Sequence, residues 1–187
     1  MTAQSATPKS MSSKERIYAA IAGTPVDRVP ATAWFHFGSE HLAPEEAALL
    51  HMRFAASYQP DILKIHADYR LSVSHVHDLR HADDVLRIGV DAADSPCFVL
   101  QKQCVSAVLS TIPGHNLVMD TVMSPCQNLM RNIGADQLAT LLQYEQQTHA
   151  TLALITEATC DHVRWLQAQG VEFCFFATHG AIAARQY

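Results

Sequence analysis

The hydrophobic positions come in compact runs divided by polar turns, and the spacing inside each run sets the element it predicts. "SSKERIYAAIAG" (12–23) has a serine cap, helix formers and a closing glycine, the pattern of a short helix. "TPVDRVP" is a turn, and Pro30 opens "VPATAWFHF" (29–37), whose aromatic content predicts a first buried strand. Pro44 and two glutamates begin a helix over "PEEAALLHMRFAASY" (44–58), with Ala47, Leu50, Phe54 and Ala55 on one stripe. "PDILKIHAD" (60–68) is a second strand. The polar stretch 69–95, with the histidine-rich "SHVHDLRH", reads as an irregular excursion and a solvated loop. A helix over 96–109 places Val99, Cys104 and Val108 near one face, and Pro113-Gly114 breaks it. "HNLVMDTVMS" is a third strand and "PCQNLMRNIG" a short helix. A long helix over about 136–169 carries Leu141, Tyr144, Leu152, Ile155, His162, Val163 and Leu166 on its apolar side and closes at Gly170. "VEFCFFAT" is a fourth strand.

Strands alternating with helices predict an α/β fold with a parallel sheet. The strands are apolar throughout, which predicts cover on both faces. "HFGSEH" holds one glycine after the first strand, where a dinucleotide-binding loop needs three.

Composition narrows the function classes. The 187 residues are 49% hydrophobic and 17% charged, with a net charge of −5, a globular and weakly acidic balance. The 13 Lys and Arg are scattered, so no nucleic-acid partner is expected. No apolar run reaches the roughly 18 residues of a membrane span, and the polar start carries no secretory signal. The five cysteines form no C-x-x-C pair and read as small, buried, reduced thiols, Cys126 and Cys174 included. These features predict a cytoplasmic protein.

Four segments carry a family resemblance. "SKERIYAAIAGTPVDRVPATAWFHFG" (13–38) resembles the opening of uroporphyrinogen decarboxylase (URO-D) family proteins: a helix of the form R-x-x-x-A-x-x-G, then P-x-D-R-V-P, then a strand ending near Trp. "YQPDILKIHADYR", "NLVMDTVMSPCQNLMR" and "GVEFCFFATHGA" are similar to the family's next three strand segments. The likeness is collinear over about residues 13–184. It implies a (β/α)8 TIM-barrel fold, of which this chain would be about the first four βα units, a truncated half barrel. Residues 1–11 would be a disordered lead-in and 12–187 the half-barrel domain. The implied activity is that of a carboxy-lyase on a tetrapyrrole or related small-molecule acid, as in porphyrin biosynthesis. Corrinoid-dependent methyltransferases of the same superfamily are the alternative, an inactive fragment or pairing subunit the third. A half barrel leaves strand edges open, so a homo-oligomer or a complementary half is the expected partner, and the chain alone is expected to be inactive.

Barrel active sites sit at the C-terminal ends of strands, which selects the candidate residues. Asp68 is the catalytic candidate: by resemblance it matches the decarboxylase carboxylate that faces pyrrole N–H groups and stabilises a cationic intermediate. His36, His41, His66, Tyr69 and His179 are the substrate-binding candidates, with Asp120, Ser124 and Thr178 near the same rim. His36 and His41 occupy the region where the decarboxylases carry paired arginines, a departure that points away from uroporphyrinogen itself. His36, His66, Asp68 and His179 offer nitrogen and oxygen ligands. The relatives' zinc ligands, a His-x-Cys pair and a distant Cys, have no counterpart here. No metal or cofactor is therefore expected, with zinc and a corrinoid entering only on the methyltransferase alternative.

Overall fold

The structure, a computed structural model, describes residues 10–72, 79–114, 116–133 and 137–178. In chain order the elements are α1 (Ser13–Ile21), α2 (Pro44–Tyr58), β1 (Ile62–Ile65), α3 (Ala82–Val90), α4 (Pro96–Thr111), β2 (Leu117–Met123), α5 (Pro125–Ile133), α6 (Leu138–Gln143), α7 (Glu145–Ala168) and β3 (Phe173–Ala177), with a 3-10 turn at Ser39–His41. Local chemistry sets the helix starts. Ser12 and Glu15 bond reciprocally, each side chain accepting from the other's backbone N–H, at the head of α1. Pro44 opens α2, and the Glu46 carboxylate accepts from the Ala43 N–H. Asp84 does the same for the His81 N–H at α3, and Ser124 Oγ accepts from the Gln127 N–H at α5.

The sheet is parallel, in the order β1-β2-β3, with Ile65 beside Asp120 and Thr121 beside Phe175. Burial along β2 alternates. Val118, Asp120 and Val122 are buried, whereas Met119, Thr121 and Met123 are half-buried, because successive side chains point to opposite faces. Leu63, Ile65, Val118 and Val122 join Cys104, Val105 and Val108 of α4, Leu166 of α7, and Ala47 and Ala48 of α2 in one core cluster. A second cluster centres on Val85 and Ile88 of α3, Phe98, Leu129 and Ile155. At its heart α3 lies so close to α7 that a Cβ on Gly89 would come within 2.8 Å of the Thr151 Cα. Thr151 Oγ1 also donates to the Val85 carbonyl at 2.7 Å.

Several expectations are corrected here. Among the described residues the chain forms a three-stranded sheet, not four βα units of a barrel, and the half-barrel reading falls with the strand expected over 29–37. Residues 29–37 make no strand. Pro30 has no N–H to give, and the Ala31 N–H goes to the Asp61 carboxylate at 2.8 Å instead of a ladder carbonyl. Thr32 Oγ1 donates to the Ile62 carbonyl at 2.7 Å, again through a side chain. Cover on both sheet faces also fails, since Phe175 and Phe176 of β3 are 43% and 56% exposed. The stretch expected to be irregular contains α3. The long C-terminal helix is broken at Tyr144, whose φ of −108° and ψ of 53° are not helical. Val99 and Val163, expected on apolar faces, are exposed, and on α4 Phe98 and Gln101 are buried alongside the expected Cys104 and Val108. Cys126 and Cys174 are exposed rather than in the core, and Cys104 is buried. Residues 1–9, His75, His77 and His179 lie outside the described residues. Among the described residues no helix is long and apolar enough to cross a membrane.

The turn before 29–37 has a structural purpose. Arg16 is buried and grips both oxygens of Asp27, at 2.6 and 2.8 Å, as well as Asp61. Arg28 holds both oxygens of Asp61 at 2.6 and 2.8 Å. This ion network ties α1 and the turn to the residue just before β1, using planar, two-pronged contacts that only arginine offers.

Candidate functional site

Beyond the last residue of β1 the chain continues as His66, Ala67 and Asp68, at the C-terminal end of the sheet. Asp68 has a φ of +65°, in the left-handed region that strains most side chains and that Asp tolerates better than most. Its carboxylate is buried and meets three partners. His36 Nδ1 lies 2.8 and 2.9 Å from its two oxygens. His66 Nε2 lies 2.8 Å from Oδ1. Arg131, on the last turn of α5, donates to Oδ1 at 3.5 Å. Burial opposes the charge on Asp68, yet the contacts from His66 and His36 outweigh it and hold the carboxyl below its ordinary range.

His36 arrives from the extended segment 29–37, and three features bring it there. Gly38 turns the corner with a φ of +65°, which glycine takes without strain. Ser39, fully buried, donates through Oγ to the Ala67 carbonyl at 2.9 Å. Tyr69 donates its hydroxyl to the Leu42 carbonyl at 3.0 Å. The 3-10 turn is thereby tethered to the tip of β1 at two points. Trp34 stands edge-on to both imidazoles, at centroid distances of 4.6 and 5.3 Å.

Lys64 projects from the same face of β1 as His66. Its Nζ lies 4.3 Å from the centroid of Trp34 and 3.3 Å from that of Phe175. It has no carboxylate partner among the described residues, and burial pushes its pKa down to about 8. The ammonium is thus mostly charged at neutral pH, held by aromatic faces rather than by an anion. Lys64, His36, His66, Arg131, Trp34 and Phe175 line a cavity of about 520 Å³, in the size range of small-molecule sites.

A second, smaller cavity of about 30 Å³ lies behind it, lined among others by His66, Thr121, Gln101 and His162. Asp120 accepts there from Gln101 Nε2 at 2.7 Å and is bonded to His162 Nε2 at 2.8 Å. His66 Nε2, Thr121 Oγ1 and His162 Nδ1 are buried side-chain atoms with no hydrogen-bond partner, and all three residues line this cavity. His66 Nε2 is close to Asp68 but is not aligned for a hydrogen bond. Buried orphans of this kind are rare and mark strain or function.

The structure therefore brings His36, His66 and Asp68 together and leaves other candidates apart. His41 is exposed, with Glu40 3.8 Å away as its ion-pair partner, and lines neither cavity. Tyr69 lines the smaller cavity, but its hydroxyl is committed to Leu42 and burial raises its pKa to about 12. Asp120 is fully buried beneath the rim, Ser124 caps α5, and Thr178 lines the larger cavity. Burial pushes the Cys97 and Cys104 thiols up to about 12, so neither is a nucleophile at neutral pH. Lys64 and Arg131 are the site residues that sequence reasoning missed. A lysine inside the apolar "ILKI" was the one available signal for the first. His36, His66 and Asp68 each offer one ligand atom, all within 4.8 Å of one another, an arrangement that could hold a metal ion. Compared with family models, with curated proteins and with solved structures, the chain matches none.

Proposed function

We propose that the chain is a URO-D-family carboxy-lyase acting on a small acid that joins carboxylate arms to an N–H heterocycle, a tetrapyrrole or a fragment of one. One observation carries the reading: a buried Asp68, held below its ordinary carboxyl range, contacts His36 and Arg131, and those two residues line a cavity of about 520 Å³ together with a second cation, Lys64. The family resemblance of the four segments supports it, and the reading rests on the site rather than on a barrel.

The chemistry follows from that polarity. Lys64 and Arg131 are placed to take substrate carboxylates, the task for which the segment 29–37 offers no arginine pair. Asp68 accepts the heterocycle N–H and stabilises the cation formed when a ring carbon is protonated. The C–C bond to the carboxylate then breaks, CO2 leaves, and the bonding pair returns to the ring and neutralises it. A proton adds where CO2 left, and the first proton is released. His36 bonds to Asp68 and its side chain is 57% exposed, so it can exchange that proton with solvent.

The test is CO2 release from uroporphyrinogen and from a single pyrrole bearing acetate and propionate arms. Asp68→Asn is expected to lose at least about 100-fold in kcat, the scale of one lost electrostatic stabiliser, while its far-UV circular dichroism is unchanged. Full turnover by a folded Asp68→Asn chain would end this reading. The metal-capable cluster favours a second reading, methyl transfer from a corrinoid to a thiol, in which a cation there would hold the sulfur as thiolate. Methylated thiol without CO2 release would select it.

A further inference from the structure

We propose that His36, His66 and Asp68 form a binding site for a zinc-class divalent cation, whose remaining coordination position takes an anionic group of the substrate; this deepens the reading of the cavity as the reaction site. The argument starts from a mismatch. Two imidazoles converge on one carboxylate, each with a nitrogen 2.8 Å from Oδ1, and their ring centroids are 4.7 Å apart. His36 uses its nitrogen in a hydrogen bond, but His66 Nε2 does not, although the residue is only 5% exposed. A purely structural cluster leaves that buried atom unsatisfied, at a cost of about 1–3 kcal/mol. A cation among the three ligand atoms would use it.

The donor set names the class of ion. Two imidazoles and one carboxylate suit zinc, cobalt or ferrous iron, whereas calcium and magnesium favour oxygen alone. Three protein ligands with a position left open is the arrangement of catalytic rather than structural zinc. Ligand atoms on a tetrahedral zinc stand about 3.3 Å apart, given bonds of about 2.0–2.1 Å, so the present contacts need to open by only about half an ångström. Arg131, within 3.5 Å of Asp68, supplies the outer hydrogen bond that usually orients a ligating carboxylate. A carboxylate that ligates through one oxygen keeps lone pairs for a substrate N–H. The tether from Ser39 to Ala67 holds His36 at the required place.

The surrounding charge selects the next ligand. Lys64 and Arg131 add positive charge around the cation, and Asp68 is the one anionic ligand in the cluster. An anion in the open position relieves that repulsion. Because His36 and His66 both line the larger cavity, a carboxylate or thiolate bound there can reach the ion.

Cobalt(II) titration of the full-length, metal-stripped chain is the test. One equivalent is expected to bind with visible d–d bands of a low-coordinate site, and acetate is expected to shift them. His66→Ala and Asp68→Asn should abolish the bands, while His41→Ala, an exposed control, should keep them. Circular dichroism checks that each variant folds. The proposal is overturned if no bands appear, if bands persist in folded His66→Ala, or if a thiolate charge-transfer band shows that cysteines hold the ion. CO2 release that persists under chelation, with no cobalt bands, would remove the metal site and leave the carboxy-lyase reading standing.

Discussion

Asp120 is 0% exposed, and both its oxygens are engaged, by Gln101 and His162. Asp120→Ala would leave two buried polar side chains without their acceptor. A loss of about 3–5 kcal/mol in unfolding free energy is expected from urea titration, and a loss below about 1 kcal/mol would show that the network does not hold the β2–α7 contact. Legibility in the sequence was uneven at this scale. His36, His66 and Asp68 were readable because polar side chains just beyond apolar runs have few structural uses. Lys64 was not, since a lysine within a short strand usually faces water, and here aromatic faces shelter it instead. Arg131 comes from an element 63 residues away from Asp68, and no local pattern announces such a contact. His41 misled because proximity in sequence to His36 says nothing about which way a 3-10 turn directs each side chain.

The seam between α3 and α7 admits no side chain at position 89. In Gly89→Ala the new methyl would meet α7 backbone at 2.8 Å, and backbone cannot swing aside as a flexible side chain can. The helix-propensity gain of about 1 kcal/mol is smaller than an overpacking cost of about 1–3 kcal/mol. A lowered Tm is therefore expected by calorimetry, and an unchanged or raised one would mean the two helices can slide apart. Helix starts were the most legible part of the chain: Ser12 with Glu15, Pro44 with Glu46, and Ser124 before Pro125 are cap chemistry written in adjacent residues. Helix α3 hid in a polar stretch, its apolar side reduced to Val85 and Ile88. The segment 29–37 has strand composition but lost its ladder to side-chain competitors, Asp61 and Thr32, and composition does not register such competition.

The chain as a whole should be acid-sensitive through its N-terminal ion network. The Arg16 guanidinium holds Asp27 well below the usual carboxylate range. At Asp61 burial opposes the charge, and Arg28, the Ala31 N–H and Arg16 overcome it. A carboxyl whose folded pKa is depressed stabilises the fold above its unfolded pKa, about 3.9, and that stability drains away as pH falls toward the folded value. Urea midpoints measured from pH 6 downward should thus drop below about pH 4, and less steeply in Asp27→Asn. Equal slopes would take the network out of the balance. The parallel α/β class was legible because strand and helix runs alternate; the barrel was not supported, because a resemblance over four segments does not ensure that the first of them pairs.

The left-handed backbone at Asp68 has an evolutionary corollary. Glycine would relax that conformation but also take the buried carboxylate away from His36 and Arg131, so Asp68→Gly should melt below the parent yet above Asp68→Ala, which loses the same contacts and keeps the strain. A lineage that had already lost the acid would therefore settle on glycine here sooner than on any other small residue.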